Sequence, residues 1–482
     1  MTRTKKENPR NLAFVLSLSV VIFLSFYFNL GNIRSMIGLG IVQAVTPTPL
    51  MISGHKMYNS YGEIVLRGFG RLHDMDDASG WWSGAGEPFL AHRWESNMAT
   101  VADRVQQNLV AMRSWGANMI RLHISFGWWW NDIVNPAQDY GQAQANYDLS
   151  YRNYLKLVIN EAMEQGFYVV ICPYCVDLYE TEGTSLPIPL RESSFVDSFM
   201  TSIAPDTTNK TPWKMWWDSI SSELGVYPNV IFETWNEPLG GATPSNIKSQ
   251  WRIFEIEMYK TVRENCNNVI LFTEEEGTVP NWSDELTWVP LFYDLLKADI
   301  GGEPINISFD FHCYRFNWNL GWATTNATVR TQMMSQNMLG GTRSNGYDLH
   351  VGSYEMGCAL SSSNMDNEMG WYAGILKVFN EEGVPYNSYF WYPMRSDIVP
   401  VLSMIQDPTD AWWASGAESP RPSISGQVYI NTAIEWGAIP SGGDDSVIPD
   451  DNTVWDAIYE NLPYALFSTI PVIVYIVTKK KR

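Results

Sequence analysis

An α/β fold of the (β/α)8 barrel type is what this sequence predicts, and three observations point to it. Eight short apolar segments between Ile64 and Tyr392 are separated by stretches with helical spacing. Such alternation builds a parallel sheet covered by helices, either closed into a barrel or left open and doubly wound. No Gly-x-Gly-x-x-Gly follows the first segment, which disfavours the open dinucleotide-binding sheet. Polar and acidic residues recur where the apolar segments end, and in barrels of this type (TIM barrels) that is where functional groups sit.

The elements follow in order. Ile64–Phe69 reads as the first strand, after a hairpin signal at Asn59-Ser60-Tyr61-Gly62. Helical spacing over Val101–Trp115 leads to a strand at Met119–Ile124, and Tyr151–Gln165 leads to Phe167–Ile171. Trp213–Leu224 precedes Val230–Thr234, Ile247–Asn265 precedes Val269–Thr273, and Leu286–Ala298 precedes Ile305–Phe311. Leu349–Tyr354 is the seventh strand, Glu368–Glu382 a helix, and Ser388–Tyr392 the eighth strand. Each strand is short and apolar, as burial on both faces requires.

The chain has 482 residues, 45% of them hydrophobic, so a large core is affordable and disorder is not expected. Barrels of this kind commonly exceed 250 residues as one domain, here expected over residues 50–440. The net charge is −20 although both ends are basic, which repels nucleic acid and phosphate-rich substrates but leaves a neutral polymer acceptable. Simple solubility explains the same charge.

Residues 1–45 read as a signal peptide or a membrane anchor. Asn11–Leu30 is an uncharged, nearly continuous apolar run of spanning length behind a basic start. Residues 441–463 form an acidic linker opening with Gly442-Gly443-Asp444-Asp445. Residues 464–482 are a hydrophobic tail ending in Lys479-Lys480-Lys481-Arg482, a second candidate anchor under the positive-inside rule. The expected placement is therefore extracellular, secreted or membrane-anchored. Sequons at Asn209, Asn281, Asn306 and Asn326 are compatible with it. Cys172-Pro173-Tyr174-Cys175 has redox spacing, yet it ends a strand deep in a long chain instead of opening a helix, so a structural disulfide or buried thiols are expected.

The candidate chemistry lies at strand ends. Val230-Ile-Phe-Glu-Thr-Trp-Asn236-Glu237-Pro238 delivers a carboxylate to a rigid loop after strand four. Arg121 lies on strand two, His312 and Tyr314 close strand six, Glu355 ends strand seven, and Trp391 is on strand eight. Each has a plain alternative: Arg121 a structural ion-pair partner, His312 a core histidine, Glu355 a capping carboxylate, Trp391 core. Tryptophans at 81–82, 128–130, 282, 318, 322 and 412–413 fall in expected loops, where they suit sugar stacking or loop packing. Of Glu274, Glu275 and Glu276, one is expected to line the cleft.

Taken together, Leu66-Arg67-Gly68, Arg121, Asn236-Glu237-Pro238, His312-x-Tyr314, Glu355 before Met356-Gly357, and Trp391 resemble glycoside hydrolase family 5 over roughly residues 50–437. That family contains many cellulases and mannanases. The resemblance implies a retaining endo-β-glycanase with Glu237 as acid/base and Glu355 as nucleophile. Retention needs two carboxyls about 5–5.5 Å apart. Arg121 and Tyr314 would keep the nucleophile ionised, Asn236 would donate to the sugar 2-hydroxyl, His312 would set the protonation of Glu237, and Trp391 would face the sugar. Family members carry a His at the end of strand three, where this sequence has Tyr174. No metal or organic cofactor is expected, and the protein is expected to act as a monomer on a polysaccharide. β-1,4-Glucan is the first expectation for that substrate, β-mannan or another β-glycoside the second. A non-catalytic carbohydrate-binding protein on a decayed barrel is the competing class.

Overall fold

The computed structural model describes residues 45–70, 98–125, 129, 151–174, 211–236, 238, 245–274, 288–314, 347–357, 365–388, 391, 404 and 422–436. The two expected terminal segments and the acidic linker lie outside the described residues. No helix among the described residues is long and apolar enough to cross a membrane.

Three short strands come first: β1 (Met51–Ser53), β2 (Lys56–Asn59) and β3 (Gly62–Glu63), an antiparallel sheet in that order. The hairpin expected at 59–62 is the β2–β3 turn. β4 (Arg67–Gly70), β5 (Met119–Ser125), β6 (Tyr168–Tyr174), β7 (Val230–Glu233), β8 (Ile270–Phe272), β9 (Ile307–Tyr314), β10 (Val351–Gly357) and β11 (Tyr386–Ser388) then close into one parallel barrel, β11 pairing with β4. The helices are α1 (Met98–Ser114), α2 (Tyr151–Glu164), α3 (Pro212–Leu224), α4 (Ser245–Asn265), α5 (Trp288–Ile300), α6 (Met365–Glu382) and α7 (Ile424–Glu435).

The strands sort their side chains by alternation. On β5, Ile120, Leu122 and Ile124 join the outer core against the helices, while Met119 joins a second cluster with Leu66, Tyr168, Val170, Ile231, Leu271 and Tyr354. That second cluster fills the lower interior of the barrel. Leu50, just before β1, and Met57 of β2 belong to it. The Tyr168 hydroxyl donates to Thr48 O at 2.9 Å, and Ile52 N donates to Asn306 Oδ1 at 3.0 Å. These ties lie at the start of β6 and just before β9, so the small sheet lies against the N-terminal ends of the barrel strands.

Gly68 of the Leu66-Arg67-Gly68 motif has a steric reason. A Cβ there would lie 2.3 Å from the Met119 carbonyl oxygen, so β4 and β5 approach at a distance only glycine permits.

Two expectations need correction. The eighth strand is Tyr386–Ser388, not Ser388–Tyr392: Tyr386, Asn387 and Ser388 pair with Arg67, Gly68 and Phe69, and Trp391 follows beyond the strand end. The first expected strand, Ile64–Phe69, is shorter at its start: the barrel ladder begins at Arg67 and runs to Gly70. The Asn306 sequon is structural. Asn306 adopts φ 49°, its amide nitrogen donates to Asn267 O at 2.8 Å, and Ser308 two residues on is fully buried. Asn tolerates that left-handed conformation better than most residues.

Candidate active site

Above the apolar layer the barrel interior turns polar. Arg121 stands at the centre, fully buried on β5. Its Nε and Nη2 donate to the two oxygens of Glu233 at 2.7 and 2.5 Å. Its Nη1 donates to Glu355 Oε2 at 2.8 Å, and Nη2 also reaches Asn236 Oδ1 at 3.0 Å and Cys172 Sγ at 3.3 Å. One guanidinium thus joins β5, β6, β7 and β10. Only arginine offers five donors in a planar fork of this reach.

The neighbours complete the cluster. His123, two residues along β5, places Nε2 3.1 Å from both Arg121 Nη1 and Asn236 Oδ1. The Nδ1–H tautomer accepts from the guanidinium, and the Nε2–H tautomer donates to Asn236. Asn236 is oriented further by its own N–H, which donates to Pro173 O at 3.2 Å. His312 lies with Nδ1 3.7 Å from Glu355 Oε1 and Nε2 3.3 Å from Asp310 Oδ2.

Burial decides the electrostatics here. It pushes the Glu233 carboxyl above its ordinary range, while Arg121 pulls the other way. Burial likewise raises the Cys172 thiol well above its usual value, with Arg121 opposing and the carboxylates adding to the rise. A thiol of that kind is neither a nucleophile nor a redox centre. Cys172 is a free, buried cysteine, which answers the expectation for the Cys-x-x-Cys pair at its first member; Cys175 lies outside the described residues.

Glu233, Asp310 and His312 bring ligand atoms within 4.8 Å of one another, a spacing compatible with a metal ion. Both Glu233 oxygens are already taken by Arg121, and one Asp310 oxygen by the Tyr354 main chain. The guanidinium supplies the cation that these carboxylates need, so the donor set does not fit a resident metal.

Of the residues expected from sequence, Arg121, Asn236, His312 and Glu355 are brought together. Tyr314 and Tyr174 lie at the last positions of β9 and β6, opposite Gly357 and Ser125 respectively. Glu237 lies outside the described residues, between Asn236 and the buried Pro238. Trp391 is placed elsewhere. It is fully buried, its ring 4.8 Å from Phe69 and from Trp115 and its N–H donating to Asn108 Oδ1 at 3.0 Å. Its aromatic face packs the outer core and does not join the Arg121 cluster.

Glu274 is also turned away from a cleft role. It is fully buried and accepts two hydrogen bonds from Arg252 of α4 at 2.6 and 3.1 Å. Glu275 and Glu276 lie outside the described residues. Trp129, expected in a loop, is a packing residue with its N–H on Ser219 and the Arg152 guanidinium 4.7 Å above its ring. The other loop tryptophans named from sequence lie outside the described residues.

Sequence reasoning missed Glu233, His123 and Asp310. The signal was present: His123 and Asp310 stand two positions from Arg121 and His312 on the same strands, where alternation gives them the same face.

An eight-stranded α/β barrel with an arginine-centred carboxylate cluster toward the C-terminal ends of its strands belongs to the class of barrel enzymes. A family model described as cellulase (glycosyl hydrolase family 5) matches residues 83–394, more than half of the chain. The chain belongs to that family and is a glycoside hydrolase. Among solved structures, the endocellulase from Pyrococcus horikoshii in complex with cellotetraose is similar at 14% identity with a TM-score of 0.51, covering 82% of this chain and all of that one. A hyperthermostable endocellulase matches at 14% identity, TM-score 0.50 and the same coverage. A mannanase catalytic domain from Streptomyces sp. SirexAA-E matches at 16% identity and TM-score 0.44, over 81% of this chain and 94% of that one. No curated protein matches the chain.

Proposed function

We propose that the protein is a retaining endo-β-glycanase, with β-1,4-glucan as its first substrate. Glu355 is the nucleophile and Glu237 the acid/base. The observation that carries this reading is the Arg121 fork, which binds Glu355 Oε2 and Asn236 Oδ1 with one guanidinium. A positive group 2.8 Å from Glu355 favours its ionised form, as a nucleophile needs. Asn236, three residues beyond the end of β7, is fixed by its bond to the guanidinium and by its own N–H on Pro173 O, and Glu237 follows it in the sequence.

In the first step Glu355 attacks the anomeric carbon while Glu237 gives its proton to the departing oxygen. In the second step Glu237 takes a proton from water, which displaces the glycosyl group from Glu355. Asn236, bonded through its oxygen, has its amide N–H left to donate to a sugar hydroxyl. The endocellulases of similar fold support glucan as the first substrate to test.

Turnover of an aryl β-cellobioside by wild type and by Glu355→Gln tests the assignment, and unchanged activity in the variant rejects it. We also propose an extracellular, secreted or membrane-anchored enzyme, on the strength of the apolar run at 11–30 and the basic end at 479–482. Fractionation of the full chain against a form ending at residue 463 tests the tail, and equal recovery of both in the soluble fraction rejects it as an anchor.

A further inference from the structure

β10 carries one residue more than either neighbour just before Glu355. Between β9 and β10, Asp310 stands opposite Gly352 and His312 opposite Glu355. Between β10 and β11, Tyr386 stands opposite Ser353 and Ser388 opposite Met356. Each neighbour advances two residues while β10 advances three, which defines a β-bulge. Its effect is visible in the side chains. Tyr354 belongs to the lower interior cluster, Glu355 bonds Arg121, and Met356 returns to the outer core. Two consecutive inward residues are what a regular strand forbids.

The bulge takes the Tyr354 N–H out of the ladder, and a buried N–H needs another acceptor. Asp310 Oδ1 supplies it at 2.9 Å, from a carboxylate that is itself only 3% exposed. Gly352 makes room for the fold-over. A Cβ there would lie 2.5 Å from the Tyr354 ring.

We propose that Asp310 is a positioning residue for Glu355: it replaces the missing ladder acceptor, fixes the extra residue of β10, and so turns Glu355 inward onto Arg121. Without the bulge, alternation would send Glu355 to the outer face among the helices. This rests on Glu355 being the nucleophile, and the experiment separates the two claims.

Asp310→Ala and Asp310→Asn are compared with wild type in amide hydrogen exchange of the 351–357 strand, in kcat and KM on an aryl β-cellobioside, and in labelling by a 2-deoxy-2-fluoro cellobioside. Asparagine keeps an oxygen for the Tyr354 N–H; alanine does not. Asp310→Ala is expected to expose the Tyr354 amide and to lower kcat about 100-fold with KM within about threefold, the scale of a misplaced reacting group. Asp310→Asn is expected to keep the protection and to hold kcat within about fivefold of wild type. Unchanged exchange at Tyr354 in Asp310→Ala overturns the proposal. So does unchanged kcat in that variant, or equal impairment of both variants. Asp310→Ser, too short to reach the amide, replaces the alanine variant if that one does not fold. Labelling of wild type at a residue other than Glu355 rejects the functional reading instead, and the exchange data still decide what Asp310 does to the strand.

Discussion

Arg121 and Glu233 form a two-pronged ion pair at 2.5 and 2.7 Å in which neither side chain is exposed to solvent. The pair spans β5 and β7, two strands apart in the barrel. With two of its nitrogens fixed there, the guanidinium has a set orientation before Glu355 is considered. Glu355 and Asn236 are then held by what remains of the fork. Glu233 is in this sense the base on which Arg121 stands.

Glu233→Gln tests that dependence. The amide keeps one acceptor and turns a donor toward the guanidinium, leaving a buried charge with a poorer partner. Breaking a buried pair costs about 3–5 kcal/mol, and the amide's remaining acceptor puts the expectation near the lower figure. The midpoint of urea unfolding measures the stability loss. Kinetics on an aryl β-cellobioside should show kcat falling at least about tenfold with KM little changed, because the loss is in aim and not in substrate contact. A variant with wild-type kcat and reduced stability would leave Glu233 a purely structural residue.

The barrel was legible because its strands are buried on both faces and therefore apolar throughout, as Val230–Phe232 and Ile270–Phe272 are. The eighth strand was misplaced because Tyr389, Phe390, Trp391 and Tyr392 look more strand-like than Tyr386-Asn387-Ser388, while the ladder is set by pairing with Arg67–Phe69. α7 was not read at all: its N-cap Ser423 is a fair start signal, but Gly426, Gln427 and Asn431 blur the apolar stripe behind it. In the site, Arg121, Asn236 and Glu355 were recognisable by residue type at strand ends. Glu233 and Asp310 lie one layer lower, where an interior is expected to be apolar. The bulge in β10 could not be read, since one inserted residue leaves the composition of the strand unchanged.

Glu255 gives the fold a pH dependence of definite sign. It is fully buried on α4, where its Oε1 accepts from the Thr234 hydroxyl and from Thr273 N, both at 3.2 Å. Burial, reinforced by Glu274, raises its carboxyl well above the usual range. The folded state therefore holds a proton that the unfolded state releases. Its contribution is fully present below the ordinary glutamate range and is lost as pH rises through the folded value. Between pH 5 and pH 8 wild type should lose stability relative to Glu255→Gln, so the gap between their melting temperatures should shift toward the variant as pH rises. Parallel declines in calorimetry would show that Glu255 does not titrate in this window.

His350 acts in the opposite direction. It is buried at the N-terminal end of β10, with Nδ1 2.7 Å from Ser308 Oγ. Burial, with a smaller contribution from the charge of His55, lowers it to about 3. Unfolded chain takes up that proton first, so stability is full above about pH 6.5 and falls as pH drops toward the folded value. Below the folded value the whole shift, from 6.5 to about 3, corresponds to about 5 kcal/mol of lost stability. His350→Gln should be less stable at neutral pH by about 1 kcal/mol, for the weakened bond to Ser308. Its stability between pH 7 and pH 4 should fall less steeply than that of wild type. Identical acid limbs in urea titrations at several pH values would exclude His350 as the acid-sensitive group.

Trp391 separates a packing role from a sugar-binding one. Phe69, Trp115 and Tyr429 form one aromatic cluster with it, the Phe69 ring lying 4.8 Å from Trp391 and 4.5 Å from Tyr429. The Trp391 main-chain N–H also donates to Gly70 O at 3.0 Å, carrying the chain on beside the end of β4. Trp391→Ala should cost about 3–5 kcal/mol, the range for emptying a large aromatic site in a core. Trp391→Phe keeps much of the packing and loses the hydrogen bond to Asn108, so it should cost less, about 1–3 kcal/mol for the orphaned group. Neither loss touches a sugar subsite, and KM for cello-oligosaccharides should stay within about twofold in the phenylalanine variant, since only removal of binding contacts raises it. A tenfold rise in KM without loss of stability would put the indole in the cleft and reverse the assignment.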